Sequence, residues 1–175
     1  MSPDLHARAR SVQLLVLDVD GVLTDGRLYY GANGDELKAF HIRDGLGLKM
    51  LRATGVEVAI VTGRTSRAVE LRAENLGVLY VFQGVGDKLA VFEQLLKRLT
   101  LTAAAAAAMG DDLPDLPVLR RCGFAACVPD APALVRSHSH YVADRPGGAG
   151  AVREVCELVM AAQGTLESSM QEYLK

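Results

Sequence analysis

The sequence predicts an α/β protein: a three-layer, Rossmann-like parallel sheet with helices on both faces, plus a β-hairpin flap and no cap domain. Three observations carry that prediction. Short apolar runs alternate with helix-patterned segments, as in a parallel sheet covered on both sides. The first of these runs is apolar almost throughout, as a central strand buried on both faces should be. Asn33-Gly34 stands between two strand-like arms, where a tight hairpin needs positive φ.

The elements follow in order. Gln13–Leu17 (QLLVL) reads as the central strand, and residues 26–41 as the hairpin flap. Gly45–Ala53 carries Leu46, Leu48, Met50 and Leu51 and fits a helix ending near Gly55. Glu57–Val61 (EVAIV) is a second buried strand, and Thr65–Leu76 a helix that Thr65 or Ser66 can cap. Val78–Phe82 reads as a strand and Lys88–Leu99 as a crossover helix with apolar residues at 89, 92, 95, 96 and 99. Next come six alanines, Ala103–Ala108, which favour helix by propensity. Their context favours a helical turn at Ala103–Ala105 and a buried strand at Ala106–Met109, leading into Gly110-Asp111-Asp112. Leu116–Arg121 then reads as helix, Phe124–Cys127 as strand, Pro132–Ser137 as a short helix and Tyr141–Ala143 as the last strand. Ala151–Ala162 is a final helix with Val152, Val155, Cys156 and Val159 on one face, and the polar tail 164–175 is expected to be loose. Without a linker or an internal repeat, residues 1–175 read as one domain.

Composition excludes several classes. Half of the 175 residues are hydrophobic and 23% are charged, with a net charge of −2, so no nucleic-acid footprint is present. No apolar run approaches the roughly 18 residues of a membrane helix. The opening MSPDLHARARSV has no apolar stretch behind its charges, so a secretory signal is not expected. Cys122, Cys127 and Cys156 are odd in number and lack C-x-x-C spacing, which suits buried thiols in a reducing compartment. A cytoplasmic enzyme is the expectation.

The informative residues lie just past the carboxyl ends of the predicted strands, where open α/β sheets bind ligands. Asp18-Val19-Asp20-Gly21 follows the first strand, Thr62-Gly63-Arg64 the second, and Gly110-Asp111-Asp112 with Asp115 the fourth, while Lys88 starts the helix after the third. Parallel strands bring these tips to one edge, where Asp18, Asp20, Asp111 and Asp115 crowd together. Such carboxylates cannot all stay ionised without a cation, and a hard divalent ion such as Mg²⁺ resolves the conflict. Mg²⁺ in turn wants a substrate phosphate, and Lys88, the Thr62 hydroxyl and the Gly63 N–H can bind one. Asp18 can attack phosphorus in line, and Asp20 can serve as acid and then base. A lone D-x-D or G-D-D is more often a turn; the ordered set of four elements is what points to chemistry.

The set LDVDGVLTDG (17–26), VTGR (61–64), Lys88 and GDDLPD (110–115) resembles the haloacid-dehalogenase-like phosphatases. That resemblance implies Asp18 as nucleophile, Asp20 as acid/base, and Mg²⁺ held by Asp18, the Asp20 backbone carbonyl and Asp111, with Asp112 and Asp115 in support. YYGANGDELKAFHIRDGLGLKML, VTGRTSRAVELRAENLGV and GGAGAVREVCELVMAAQG narrow the likeness to the family of 3-deoxy-D-manno-octulosonate 8-phosphate phosphatases, which serve lipopolysaccharide synthesis. The family implies sugar-acid contacts from His41, Ile42, Arg43, Asp44, Gly45, Lys49, Arg64 and Arg72, with His41 and Lys49 replacing Asn and Arg. A nine-carbon sugar-acid 9-phosphate is the nearest alternative substrate. A phosphorelay receiver uses similar residues, but there the lysine comes last, and here Asp111 follows Lys88.

Spacing bears on assembly. Only 41 residues separate Asp20 from Thr62, and 25 separate Thr62 from Lys88, so neither gap can hold a cap domain. The hairpin's Leu28, Tyr29, Tyr30, Leu37 and Phe40 then invite pairing with other subunits, and the resemblance implies a homotetramer with hairpins and tails near neighbouring sites. His138-Ser139-His140 reads as surface loop rather than a metal pair.

Overall fold

The computed structural model describes residues 2–175. Helix α1 (Pro3–Arg10) precedes strand β1 (Leu14–Leu17), and a hairpin of β2 (Tyr29–Tyr30) and β3 (Glu36–Leu37) follows. Next come α2 (Ile42–Ala53), β4 (Glu57–Val61), α3 (Arg67–Leu76), β5 (Tyr80–Phe82) and α4 (Lys88–Leu99). A 3-10 turn at Ala103–Ala105 enters β6 (Ala106–Gly110), and another at Leu113–Asp115 enters α5 (Leu116–Leu119). The chain ends with β7 (Phe124–Cys127), α6 (Ala133–Ser137), β8 (Tyr141–Val142), α7 (Ala151–Gln163), α8 (Leu166–Gln171) and a 3-10 turn at Glu172–Leu174.

Six strands form one parallel sheet in the order β5-β4-β1-β6-β7-β8, flanked by helices, and the hairpin is a separate two-stranded sheet. The α/β expectation therefore holds. From β1 the chain steps outward through β4 and β5, then crosses back to place β6 on the other side of β1. That reversal is the switch point where open sheets leave a crevice. It brings the ends of β1 and β6 side by side, in the register Leu17↔Met109. On the helical layers, α7 packs on α1 and α2, and α4 on α5.

The alanine tract divides as its context requires. Ala106 and Ala107 are fully buried in β6, between β1 and β7, where both edges of the strand find ladder partners. As a surface helix the same residues would satisfy their backbone but bury little apolar area.

One helix is not among the expected elements, and three local expectations are corrected. Helix α1 comes from a charged segment with a weak apolar stripe. It is held by the Ser2 hydroxyl accepting from Leu5 N (3.2 Å), by Pro3 in the first turn, and by the Arg8 guanidinium donating to Gly123 O (3.0 Å). Helix α2 starts at Ile42 rather than Gly45. Ser66 holds the cap position of α3 without a side-chain bond, and its N–H donates to Gln83 Oε1 instead (2.8 Å). The tail after Gly164 is ordered as α8 and the 3-10 turn after it, whose Ser168, Ser169 and Tyr173 line a groove with Lys49 and Met50 of α2 and Thr54 at its C-cap. Phe40 packs against the core, while Leu28, Tyr29, Tyr30 and Leu37 are exposed. Among the described residues no helix is long and apolar enough to cross a membrane.

Candidate active site

The site grows from the end of β1. Asp18 N still donates to Met109 O (3.1 Å), but after Val19 the chain folds sharply, with Val19 O accepting from the N–H groups of Leu23 (2.9 Å) and Thr24 (3.0 Å). Gly21 has φ +89°, and a Cβ there would lie 2.1 Å from Asp111 Oδ2, so only glycine fits both the turn and the neighbouring carboxylate. A distant loop braces this turn: Gly148 N donates to Val22 O (3.0 Å), and a Cβ on Gly147 would sit 1.8 Å from Gly21 O.

Three carboxylates meet beside it. Oxygens of Asp18, Asp111 and Asp115 lie within 4.8 Å of one another. Lys88, at the start of α4, reaches Asp18 Oδ1 at 2.8 Å and Asp115 Oδ1 at 2.7 Å. Asp115 Oδ2 accepts from Asp111 N (3.0 Å) and Asp112 N (3.3 Å), while the Asp112 side chain caps the 3-10 turn through Leu113 N (2.8 Å). Burial, then the Asp18 and Asp115 charges, push the Asp111 carboxyl up to about 8. Burial and Asp115 raise Asp18 as well, against the pull of Lys88. Burial alone would lower the Lys88 ammonium, but the two carboxylates together hold it above its ordinary value. Three acids facing one ammonium want another cation. The all-oxygen donor set fits a hard divalent ion, and no histidine or cysteine belongs to it.

The Asp20 carboxylate stands outside that group. The Lys38 ammonium donates to Asp20 Oδ1 and lies 3.1 Å from Glu36 Oε1, while the Arg64 guanidinium binds Glu36 Oε2 and comes within 4.0 Å of Asp20 Oδ2. The metal contact expected of Asp20 is its backbone carbonyl, which does not require this side chain to join the three. Glu36 and Lys38 had no place in the sequence reading of the site. Their i, i+2 spacing after the Asn-Gly turn puts both on one face of the arm, but does not say which face meets the cleft.

A cleft of about 470 Å³ joins the two clusters, lined by Asp18, Asp20, Thr62, Gly63, Arg64, Lys88, Asp111, Asp112 and Asp115 among others. Thr62 is buried at its base, with its hydroxyl accepting from Arg64 N (3.4 Å). Of the eight expected sugar contacts, only Arg64 lines this cleft. Asp44 is buried and accepts from Gly150 N (3.3 Å) and Arg153 N (2.8 Å), fixing the start of α7. Arg72 donates to His41 O (3.1 Å) and passes so close to Gly45 that a Cβ there would lie 2.2 Å from its Nη2. Ile42 is exposed, Arg43 borders a separate groove with Arg145 and Arg153, and Lys49 faces the tail. His140 Nδ1 accepts from Ala125 N (2.9 Å), a strand-edge role in keeping with the surface-loop reading.

A parallel sheet whose strand tips carry an acidic pair, a threonine, a lysine and a second acidic group defines a haloacid dehalogenase-like hydrolase. The model of that family, described as haloacid dehalogenase-like hydrolase, matches residues 77–154. The 3-deoxy-D-manno-octulosonate 8-phosphate phosphatase of Salmonella typhimurium is 45% identical over 169 residues, covering 97% of this chain and 90% of that one. The crystal structure of the Moraxella catarrhalis phosphatase of that name, in complex with magnesium ion, phosphate ion and KDO, superposes with a TM-score of 0.97 at 40% identity, covering 99% of each chain. A probable YrbI family phosphatase from Pseudomonas syringae gives 0.97 at 50% identity, again covering 99% of each chain. The chain belongs to the family of 3-deoxy-D-manno-octulosonate 8-phosphate phosphatases.

Proposed function

We propose that this phosphatase hydrolyses 3-deoxy-D-manno-octulosonate 8-phosphate through an aspartyl-phosphate intermediate, with Mg²⁺ bound, in cytoplasmic lipopolysaccharide synthesis. The observation that carries the reading is Lys88 bridging Asp18 and Asp115 beside Asp111 at the sheet's switch point. Asp18 attacks phosphorus, the ester P–O bond breaks, and Asp20 gives the leaving oxygen its proton. Water then attacks the phosphorus of the aspartyl phosphate, losing a proton to Asp20, and phosphate leaves as Asp18 is regenerated. Lys88, the Thr62 hydroxyl and the Gly63 N–H bind the phosphoryl oxygens. Asp18, Asp111 and the Asp20 carbonyl would hold Mg²⁺, with Asp112 and Asp115 behind them; the ion would neutralise charge that develops in transfer.

Residues 1–175 act as one domain, in a homotetramer. Two features support that assembly: the hairpin exposes Leu28, Tyr29, Tyr30 and Leu37, and the expected sugar contacts of α2, together with Arg72, lie outside this chain's own cleft. In the tetramer His41, Ile42, Arg43, Lys49 and Arg72 serve a neighbour's site, with the buried Asp44 and Gly45 holding α2 in place behind them. The test is a panel of eight- and nine-carbon sugar-acid phosphates with Mg²⁺ or EDTA, alongside light scattering. Preference for the eight-carbon ester by a Mg²⁺-dependent tetramer is the expected result. Preference for the nine-carbon ester would overturn the substrate, and an active monomer the assembly.

A further inference from the structure

Building on that reading of Asp20, we infer that Lys38 is a positioning residue for this acid/base, so that the hairpin flap belongs to the catalytic machinery. The Lys38 side chain is only 2% exposed, and an ammonium so enclosed needs anionic partners. It has two, Asp20 and Glu36, and Glu36 in turn takes Arg64. The four groups balance in charge and tie β3 to the tips of β1 and β4. Lys38 occupies Asp20 Oδ1, while the buried Oδ2 has no hydrogen-bond partner among the described residues. One oxygen is therefore anchored, and that anchor sets how the carboxyl sits at the cleft it lines, with the Arg64 guanidinium 4.0 Å from the other oxygen. With two residues in each arm, the hairpin has little stiffness of its own, and the network holds it in place. Misplacing a proton donor by about 1 Å can cost roughly 100-fold in rate.

The experiment compares the sugar phosphate, whose alkoxide leaves only with a proton, with p-nitrophenyl phosphate, whose phenolate needs little help. Lys38→Met is expected to lower the ratio of kcat values, sugar phosphate over nitrophenyl ester, by roughly tenfold or more, with Lys38→Arg recovering most of the loss. Equal losses on both esters, or no loss, would overturn the inference. Should Lys38→Met fail to fold, Glu36→Gln keeps the ammonium but weakens its second tether, and must shift the ratio in the same direction; an unchanged ratio there overturns the role. Asp18→Asn separates the two readings, because it must abolish turnover of both esters if Asp18 is the nucleophile, whatever Lys38 does.

Discussion

The cleft holds two charged clusters of similar size that differ in balance. On one side Asp18, Asp111 and Asp115 face a single ammonium, Lys88. On the other, Asp20 and Glu36 face Lys38 and Arg64. The first cluster has more carboxylates than cations in a half-buried crevice, so it holds a proton at Asp111 or takes up a further cation. The second is complete in itself. Proximity of acids alone is thus a poor guide to a metal; what marks the metal side is carboxylates outnumbering the cations they can reach.

The strongest break of the unbalanced side is Asp18→Asn, expected to lower kcat about 1,000-fold or more while the melting temperature holds or rises, since one crowded charge is gone. Substantial residual turnover would remove the nucleophile assignment. Chelation comes next: EDTA should abolish activity, and Mg²⁺ at about 100 times its Kd should stabilise the fold by about 2.7 kcal/mol, with a far smaller response in Asp111→Asn. Scanning calorimetry reads both, and full activity in chelator would contradict the assignment.

A third effect follows from Asp111, whose carboxyl stands at about 8 when folded, far above its ordinary value of 3.8. Between those pH values the metal-free folded state keeps a proton that the unfolded chain has lost, so stability falls as pH rises through that window and levels off above it. Asp18 acts in the same direction. Urea midpoints should slope downward with pH in chelator and flatten when Mg²⁺ is present; identical profiles would deny the crowding. The smallest effect is on the balanced side. Arg64→Ala removes a guanidinium whose side chain is 45% exposed, so the urea midpoint should barely move, with the Mg²⁺ shift unchanged.

How legible each region was in the sequence follows the range of its interactions. Asp18, Thr62, Lys88 and Asp111 each sit at the end of a run whose apolar pattern predicts a strand or helix, and parallel pairing carries them to one edge. The alanine tract was legible for the same reason, since its neighbours dictated a strand. Glu36 and Lys38 were not, because their approach to Asp20 depends on how a short hairpin folds over the sheet. Helix α1 and the order of the tail were not legible either, since the first depends on the Ser2 cap and the Arg8 bond to Gly123 O and the second on α8 packing against α7. The segment at His41–Gly45 shows a further limit: a family motif names residues without saying whose cleft they face, and here Asp44 ties α2 to α7.

The brace formed by Gly147 and Gly148 against the turn at Gly21 has a consequence for synthesis on the ribosome. The nucleophile's turn is made early, yet the loop that pins it follows more than a hundred residues later, a delay of roughly 6 to 25 s at ordinary elongation rates. Over the last part of that interval, once Asp115 has been made, a nascent chain carries every acid of the site without its buttress. Competence to bind substrate should therefore appear abruptly, only once the Pro146–Gly148 loop is free to fold against the turn.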